Sequence, residues 1–218
     1  MPLGLAQNSI AVVGVYGKGN LGDEALFQAV VDDARELLPD CRVNVLCSDP
    51  ADVVKRFGFT AFTRKPTEGF LSKLSMIRRS RLVIVGGGTL LCDHGHLGRD
   101  LSVVISYFFW LWLARLSGIP ALLYGQGYGP ATSRVIRLGM RLIGISCDGV
   151  TIRDQASYEL ATRLAGKRVP IVLGADPVVA AARYQPDTVK TVVGKDLGRE
   201  GGSLRPYIVI AVRYPKLH

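Results

Sequence analysis

With 218 residues the chain can hold one domain of ordinary size and part of another. Hydrophobic residues make up 48% and charged residues 21%, a balance that excludes an intrinsically disordered chain. A formal net charge of +9 suits anionic small substrates, anionic membrane surfaces or nucleic acid, but no aromatic-interleaved basic motif, zinc finger or RNA-recognition signature points to nucleic acid.

Residues 10–15 form an apolar run expected as a strand, and 25–38 an amphipathic segment expected as a helix. Between them lies Gly17-Lys18-Gly19-Asn20-Leu21-Gly22-Asp23-Glu24, whose glycines fit the G-x-G-x-x-G spacing of a dinucleotide turn. The two acids argue against that use. Carboxylates in a first helical turn suit the positive helix end and would repel a diphosphate placed there. The turn is therefore expected to be a site wall that presents Asn20 and two acids. The alternative is that the acids only balance the helix dipole, which is the expectation for Glu24.

Residues 42–47 read as a second strand, Asp49-Pro50 as a helix start, 51–57 as a short helix, 60–62 as a strand and 70–79 as a helix. Arg64, Lys65, Lys73, Arg78, Arg79 and Arg81 cluster here and are expected on a solvated helix face. The continuous apolar run 82–85 suits a strand covered on both faces, and it leads into a turn at Gly86-Gly87-Gly88-Thr89. The run 103–114 carries Tyr107, Phe108, Phe109, Trp110 and Trp112 most of the way round a helix. It is too short to span a bilayer. A helix buried within the domain is expected, with a monotopic membrane contact or a subunit interface as the alternative.

Strands over 121–124, 149–152 and 170–173 alternate with helices over 133–145 and from Arg153-Asp154 to near Gly166. Such alternation with short connections predicts an α/β fold, a parallel sheet with helices on both faces. Glycine- and acid-containing turns recur at the carboxyl ends of the strands, the edge where open α/β sheets place their ligands. From 183 to 206 prolines and glycines interrupt charged residues as in a linker, and 207–212 is a fresh apolar strand. The expected organisation is a domain over 1–182, a linker over 183–206 and the first strand of a second, truncated domain over 207–218. The N-terminus has no positive region ahead of its apolar residues, so no secretory signal is expected. Four cysteines without C-x-x-C spacing are expected to be reduced and buried, as in a cytoplasmic protein.

Six features occur in a telling order: Gly19-Asn20-Leu21-Gly22-Asp23-Glu24; Gly86-Gly87-Gly88 with Leu90, Leu91 and Asp93; Gly125-Gln126-Gly127-Tyr128-Gly129-Pro130; Thr151-Ile152-Arg153-Asp154 with Ser157; Ala175-Asp176-Pro177; and the strand 208–213. Together they resemble the polysaccharide pyruvyl transferase family. The resemblance implies a glycosyltransferase-B-like architecture of two Rossmann-like domains, of which this chain carries the N-terminal one. It implies transfer of the pyruvyl group of phosphoenolpyruvate to a sugar of a cell-surface polysaccharide or its lipid-linked precursor, forming a cyclic ketal. The implied partners are phosphoenolpyruvate and a glycan acceptor, with peripheral membrane association at the cytoplasmic face and no nucleic acid. The chemistry demands no metal or other cofactor. Cys92-Asp93-His94-Gly95-His96 departs from the family pattern, where a more ordinary polar loop is expected.

Ketal formation needs an acid, a base and cations for a carboxylate and a phosphate. Asp23 and Asp93 are the candidates for activating or bonding a sugar hydroxyl, against plain capping roles. Asn20 and Gln126 are candidates for bonding sugar hydroxyls, against turn-stabilising bonds of their own. Arg153 suits a bidentate contact to a carboxylate or phosphate, against a structural pair with Asp154. Arg213 would face the same cleft from the second domain. His94 and His96 lack a third metal ligand and are expected in a solvent-facing loop. Asp176-Pro177 is expected to shape the turn out of the domain. Two other functions stay open at this point: a nucleotide-sugar glycosyltransferase of similar fold, and a truncated, non-catalytic glycan- or membrane-binding module.

Overall fold

The computed structural model describes residues 9–92, 97–129, 131 and 133–181. Asp93, His94, His96, the expected linker, the final strand and Arg213 lie outside the described residues. Seven parallel strands form one sheet: β1 (Ser9–Val13), β2 (Arg42–Cys47), β3 (Thr60–Thr63), β4 (Ser80–Leu91), β5 (Ala121–Tyr128), β6 (Gly149–Ile152) and β7 (Ile171–Leu173). The helices are α1 (Leu21–Leu37), α2 (Pro50–Phe57), α3 (Phe70–Arg78), α4 (Leu97–Leu116), α5 (Arg134–Ile145), α6 (Gln155–Ala165) and α7 (Pro177–Ala181).

The sheet order is β3-β2-β1-β4-β5-β6-β7, which makes the fold Rossmann-like. The chain steps from β1 out to β3, crosses back over β1, and continues outward from β4. Because parallel crossovers are right-handed, this reversal sends helices to opposite faces. Side chains divide accordingly. Ile10 and Val12 of β1 pack under α1 and α2 with Phe27, Val30 and Val53. Ala11 and Val13 pack on the other face, where Ile77 of α3, Trp110 of α4, Met140 of α5 and Ala161 of α6 share one core. The reversal falls between β1 and β4, where the chain leaves the two strands in opposite directions, the kind of point at which open α/β sheets place their ligands.

Two strands run further than their apolar letters predict. Gly86-Gly87-Gly88 and Gly125-Gln126-Gly127 were expected as turns, yet they continue β4 and β5, with Gly86 opposite Tyr124 and Gly88 opposite Gln126. Close approach is the reason. A Cβ on Gly86 would meet the Tyr16 hydroxyl at 2.5 Å, and one on Gly125 would meet Pro177 at 2.5 Å. α1 also begins earlier than expected, at Leu21, because Asn20 caps it: its Oδ1 accepts from Gly22 N at 3.2 Å.

The aromatic helix α4 is buried along one side, with Tyr107, Trp110, Leu111 and Ala114 in the core, while Ile105, Trp112 and Leu116 stay exposed. All four cysteines are buried, without a disulfide between them. Lys65, Arg78, Arg79 and Arg81 of the basic run are exposed, as expected of a solvated face, but Lys73 departs from it. Lys73 is 2% exposed, its Nζ donating to Lys65 O and lying 5.8 Å from the Trp110 ring centre. Burial lowers its proton affinity. A long aliphatic stem lets a lysine cross apolar surface to reach a carbonyl, which sequence clustering does not reveal.

Candidate functional site

The first group of site residues hangs on the turn after β1. Gly14 N donates to Leu46 O and Ser48 N to Tyr16 O, which ties the turn to β2. Tyr16 is buried, and its hydroxyl donates to Gly86 O of β4 at 3.1 Å, strapping the turn across the reversal point. Desolvation by burial holds that hydroxyl protonated. Gly17 sits at φ +82°, with no room for a Cβ, which would stand 2.4 Å from Asp49 O. Its N–H donates to Glu24 Oε1 at 3.0 Å, and the same oxygen receives Arg56 Nη2 at 2.9 Å. Glu24 thus does more than balance a dipole: its buried carboxylate takes the N–H that a dinucleotide turn would offer to phosphate. On the exposed lip, Asn20 Nδ2 donates to Asp23 Oδ2 at 2.8 Å. One amide and one carboxylate stand joined at the N-terminus of α1.

The second group gathers around Arg153, directly after β6. Its Nη1 donates to Asp176 Oδ2 at 2.9 Å and its Nη2 to Thr89 Oγ1 at the end of β4. Asp154, the partner weighed from sequence, is 3.9 Å from Nε and is committed elsewhere. It caps α6, Oδ1 accepting from Ser157 N at 2.8 Å, while Ser157 Oγ accepts from Tyr128 N at 2.9 Å. Asp176 both shapes its turn, Oδ1 accepting from Val178 N, and pairs with Arg153. A cleft of about 410 Å³ opens here, lined by Thr89, Gly127, Arg153, Asp154, Ser157 and Arg163 among others.

Residues 20–218 match the family model of polysaccharide pyruvyl transferases. The chain belongs to that family. It is accordingly a transferase enzyme of polysaccharide synthesis. No curated protein matches it. Among solved structures it is similar to the TrkA-N domain of the inner membrane protein ybaL from Escherichia coli, at 12% identity and a TM-score of 0.34, over 83% of this chain and 97% of that one.

In this pyruvyl transferase Asn20, Asp23, Gln126 and Arg153 all lie at the carboxyl edge of the sheet, in two groups. Neighbouring strands are about 4.8 Å apart, so the turns after β1 and β6, three strands apart, stand roughly 15 Å from each other. Gln126 lies between them inside β5 and is 1% exposed; its Nε2 donates to Val85 O at 3.2 Å and its buried Oε1 has no hydrogen-bond partner. Sequence reasoning missed Thr89 and the Glu24–Arg56 pair, since nothing local marks a hydroxyl or a cation that acts across 30 or more positions.

Asp154 offers a test of this geometry. The Ser157 N–H, followed by the Ser157 hydroxyl and Arg153, holds its carboxyl below the usual range. Replacing it with alanine is expected to cost about 1 kcal/mol of unfolding free energy, the usual worth of an N-cap. A depressed folded-state pKa gives stability that is full above the unfolded value and lost as pH falls through the folded one. Urea denaturation of wild type and Asp154→Ala should therefore begin to converge only as pH falls below about 4.

Proposed function

We propose that this transferase moves the pyruvyl group of phosphoenolpyruvate onto two hydroxyls of a sugar, in a cell-surface polysaccharide or its lipid-linked precursor, leaving a cyclic ketal. The observation that carries the proposal is the joint presence, at one sheet edge of a family member, of a carboxylate–amide pair and a guanidinium. Proton balance fits these groups. C3 of the enol gains a proton and one sugar hydroxyl loses its own as its oxygen bonds C2; the C2–O bond to phosphate then breaks as the second hydroxyl oxygen bonds C2 and closes the ring, its proton leaving with the phosphate. Asp23 receives or orders the hydroxyl proton, with Asn20 holding its carboxylate in place, and Asp93 would share this role; Gln126, buried in β5 on Val85 O, is left out of the sugar contact. Arg153 uses two of its five N–H donors on Thr89 and Asp176, leaving donors for a carboxylate or phosphate. Arg213 would add a second cation.

A surface feature supports action at the cytoplasmic face of a membrane. Along α5, exposed Arg134, Arg137 and Arg141 alternate with exposed Val135, Leu138 and Leu142, and the helix carries no acid. Beside it α4 exposes Trp112 and Leu116. Basic and apolar side chains mixed on one face suit an anionic bilayer surface. No helix among the described residues is long and apolar enough to cross a membrane, so the contact proposed is peripheral.

Incubating the full protein with phosphoenolpyruvate and lipid-linked glycans should release phosphate and leave a ketal on the sugar, read by mass spectrometry. A folded protein that turns over no acceptor, yet is protected from thermal unfolding by a nucleoside diphosphate, would instead be a nucleotide-sugar glycosyltransferase.

A further inference from the structure

A second cleft, of about 540 Å³, opens at the carboxyl ends of β2 and β3, beside the turn after β1 and against one face of α4. Lys18, Arg64 and Lys65 line it with the hydroxyls of Ser48, Ser102 and Ser106, and among the described residues no carboxylate does. Lys65 is exposed and pairs with Glu68 at 3.1 Å. Arg64 is held differently. Its N–H donates to Cys47 O at 2.8 Å, its carbonyl accepts from Trp110 Nε1 at 3.0 Å, and its guanidinium lies 5.1 Å over the Tyr107 ring.

Two of the Arg64 donors, Nε and Nη1, are buried without a hydrogen-bond partner, and so is the hydroxyl of Tyr107, a residue only 1% exposed. Arginine keeps its charge at any ordinary pH and offers donors only. Burying such donors unpaired is costly, and an oxyanion that reached them would recover the loss. Arg64, which lines the cleft, thus carries two unpartnered donors, and among the described residues no acid lines the cleft to neutralise it. Burial is the main cause of the raised proton affinity of Tyr107, with the Arg64 charge opposing it and the Asp23 charge adding to it.

We propose that this cleft binds an oxyanion, the phosphate or carboxylate of a ligand, with Arg64 as its principal cation and Lys18 at its mouth. The pyruvyl-transfer reading enters only through who carries the oxyanion: phosphoenolpyruvate, or the diphosphate of a lipid-linked acceptor.

Calorimetric titration of the full protein with inorganic phosphate, pyrophosphate and phosphoenolpyruvate tests this without any turnover. Binding of at least one of them is expected, weakened about 10- to 100-fold by Arg64→Ala, the range for losing a charge-assisted hydrogen bond. Arg42→Ala, at the opposite edge of the sheet, should leave it unchanged. Lys18→Ala, at an exposed position, gives a smaller loss and keeps the test informative if Arg64→Ala fails to fold. Preference for phosphoenolpyruvate assigns the cleft to the donor, and preference for pyrophosphate to the acceptor. Absence of binding by all three, or equal losses in Arg64→Ala and Arg42→Ala, overturns the proposal. Intact anion binding without ketal formation would instead defeat the pyruvyl-transfer reading and leave this site standing.

Discussion

Asp23→Asn is expected to lower kcat for ketal formation by about 10²–10⁴-fold, the usual contribution of a positioned general base. The substitution keeps size and shape and removes only the charge and the capacity to take a proton. Asp23 lies in the first turn of α1 at the site's lip, its Oδ2 accepting from Asn20 Nδ2 at 2.8 Å. The fold should survive, since losing one acid from a helix N-terminus costs only about 0.3–1 kcal/mol. Steady-state kinetics with phosphoenolpyruvate and a glycan acceptor separate the roles. A fall in kcat with little change in KM supports proton transfer. A raised KM for the acceptor alone would make Asp23 a sugar-binding group, and unchanged kinetics would reduce it to a helix-dipole partner. Asn20→Ala should mimic part of the loss, because the carboxylate would then lose the amide that orients it.

Trp110→Ala is expected to be the most destabilising single truncation of the α4 core, at about 3–5 kcal/mol of unfolding free energy. Trp110 is fully buried and meets the Phe109 ring edge-on at 5.0 Å. A void of that size, on the face shared by four helices, has no ready way to collapse. The indole N–H matters separately, because it is what fixes the Arg64 carbonyl. Trp110→Phe keeps most of the volume and drops that bond, so it should spare stability and weaken anion binding. Urea denaturation of both variants checks the first claim; a loss under about 1 kcal/mol in the alanine variant would refute the packing account.

Much of this architecture was legible because local pattern carries it. The runs at 10–15, 42–47, 82–85, 121–124, 149–152 and 170–173 all prove to hold strands, and 82–85 is apolar throughout as befits a strand in the middle of the sheet, covered on both faces. The helix starts at Asp49 and Asp154 are equally local, a side chain reaching a backbone N–H three positions on. Glycine was the misleading letter. Gly86 to Gly88 and Gly125 to Gly127 were expected as turns, yet they extend strands, because Tyr16 and Pro177 come from distant parts of the chain to occupy the space side chains would need.

The sequence alone determined that the chain is α/β, where most elements begin and end, and which family it joins, because periodicity, capping and motif order are properties of neighbouring residues. Tertiary structure decided the strand order, the Asp176 and Thr89 partners of Arg153, and the burial of Lys73 and of two Arg64 donors. Each of these depends on groups tens of positions apart. A charged side chain looks the same in sequence whether water or protein surrounds it, and only packing settles which it is.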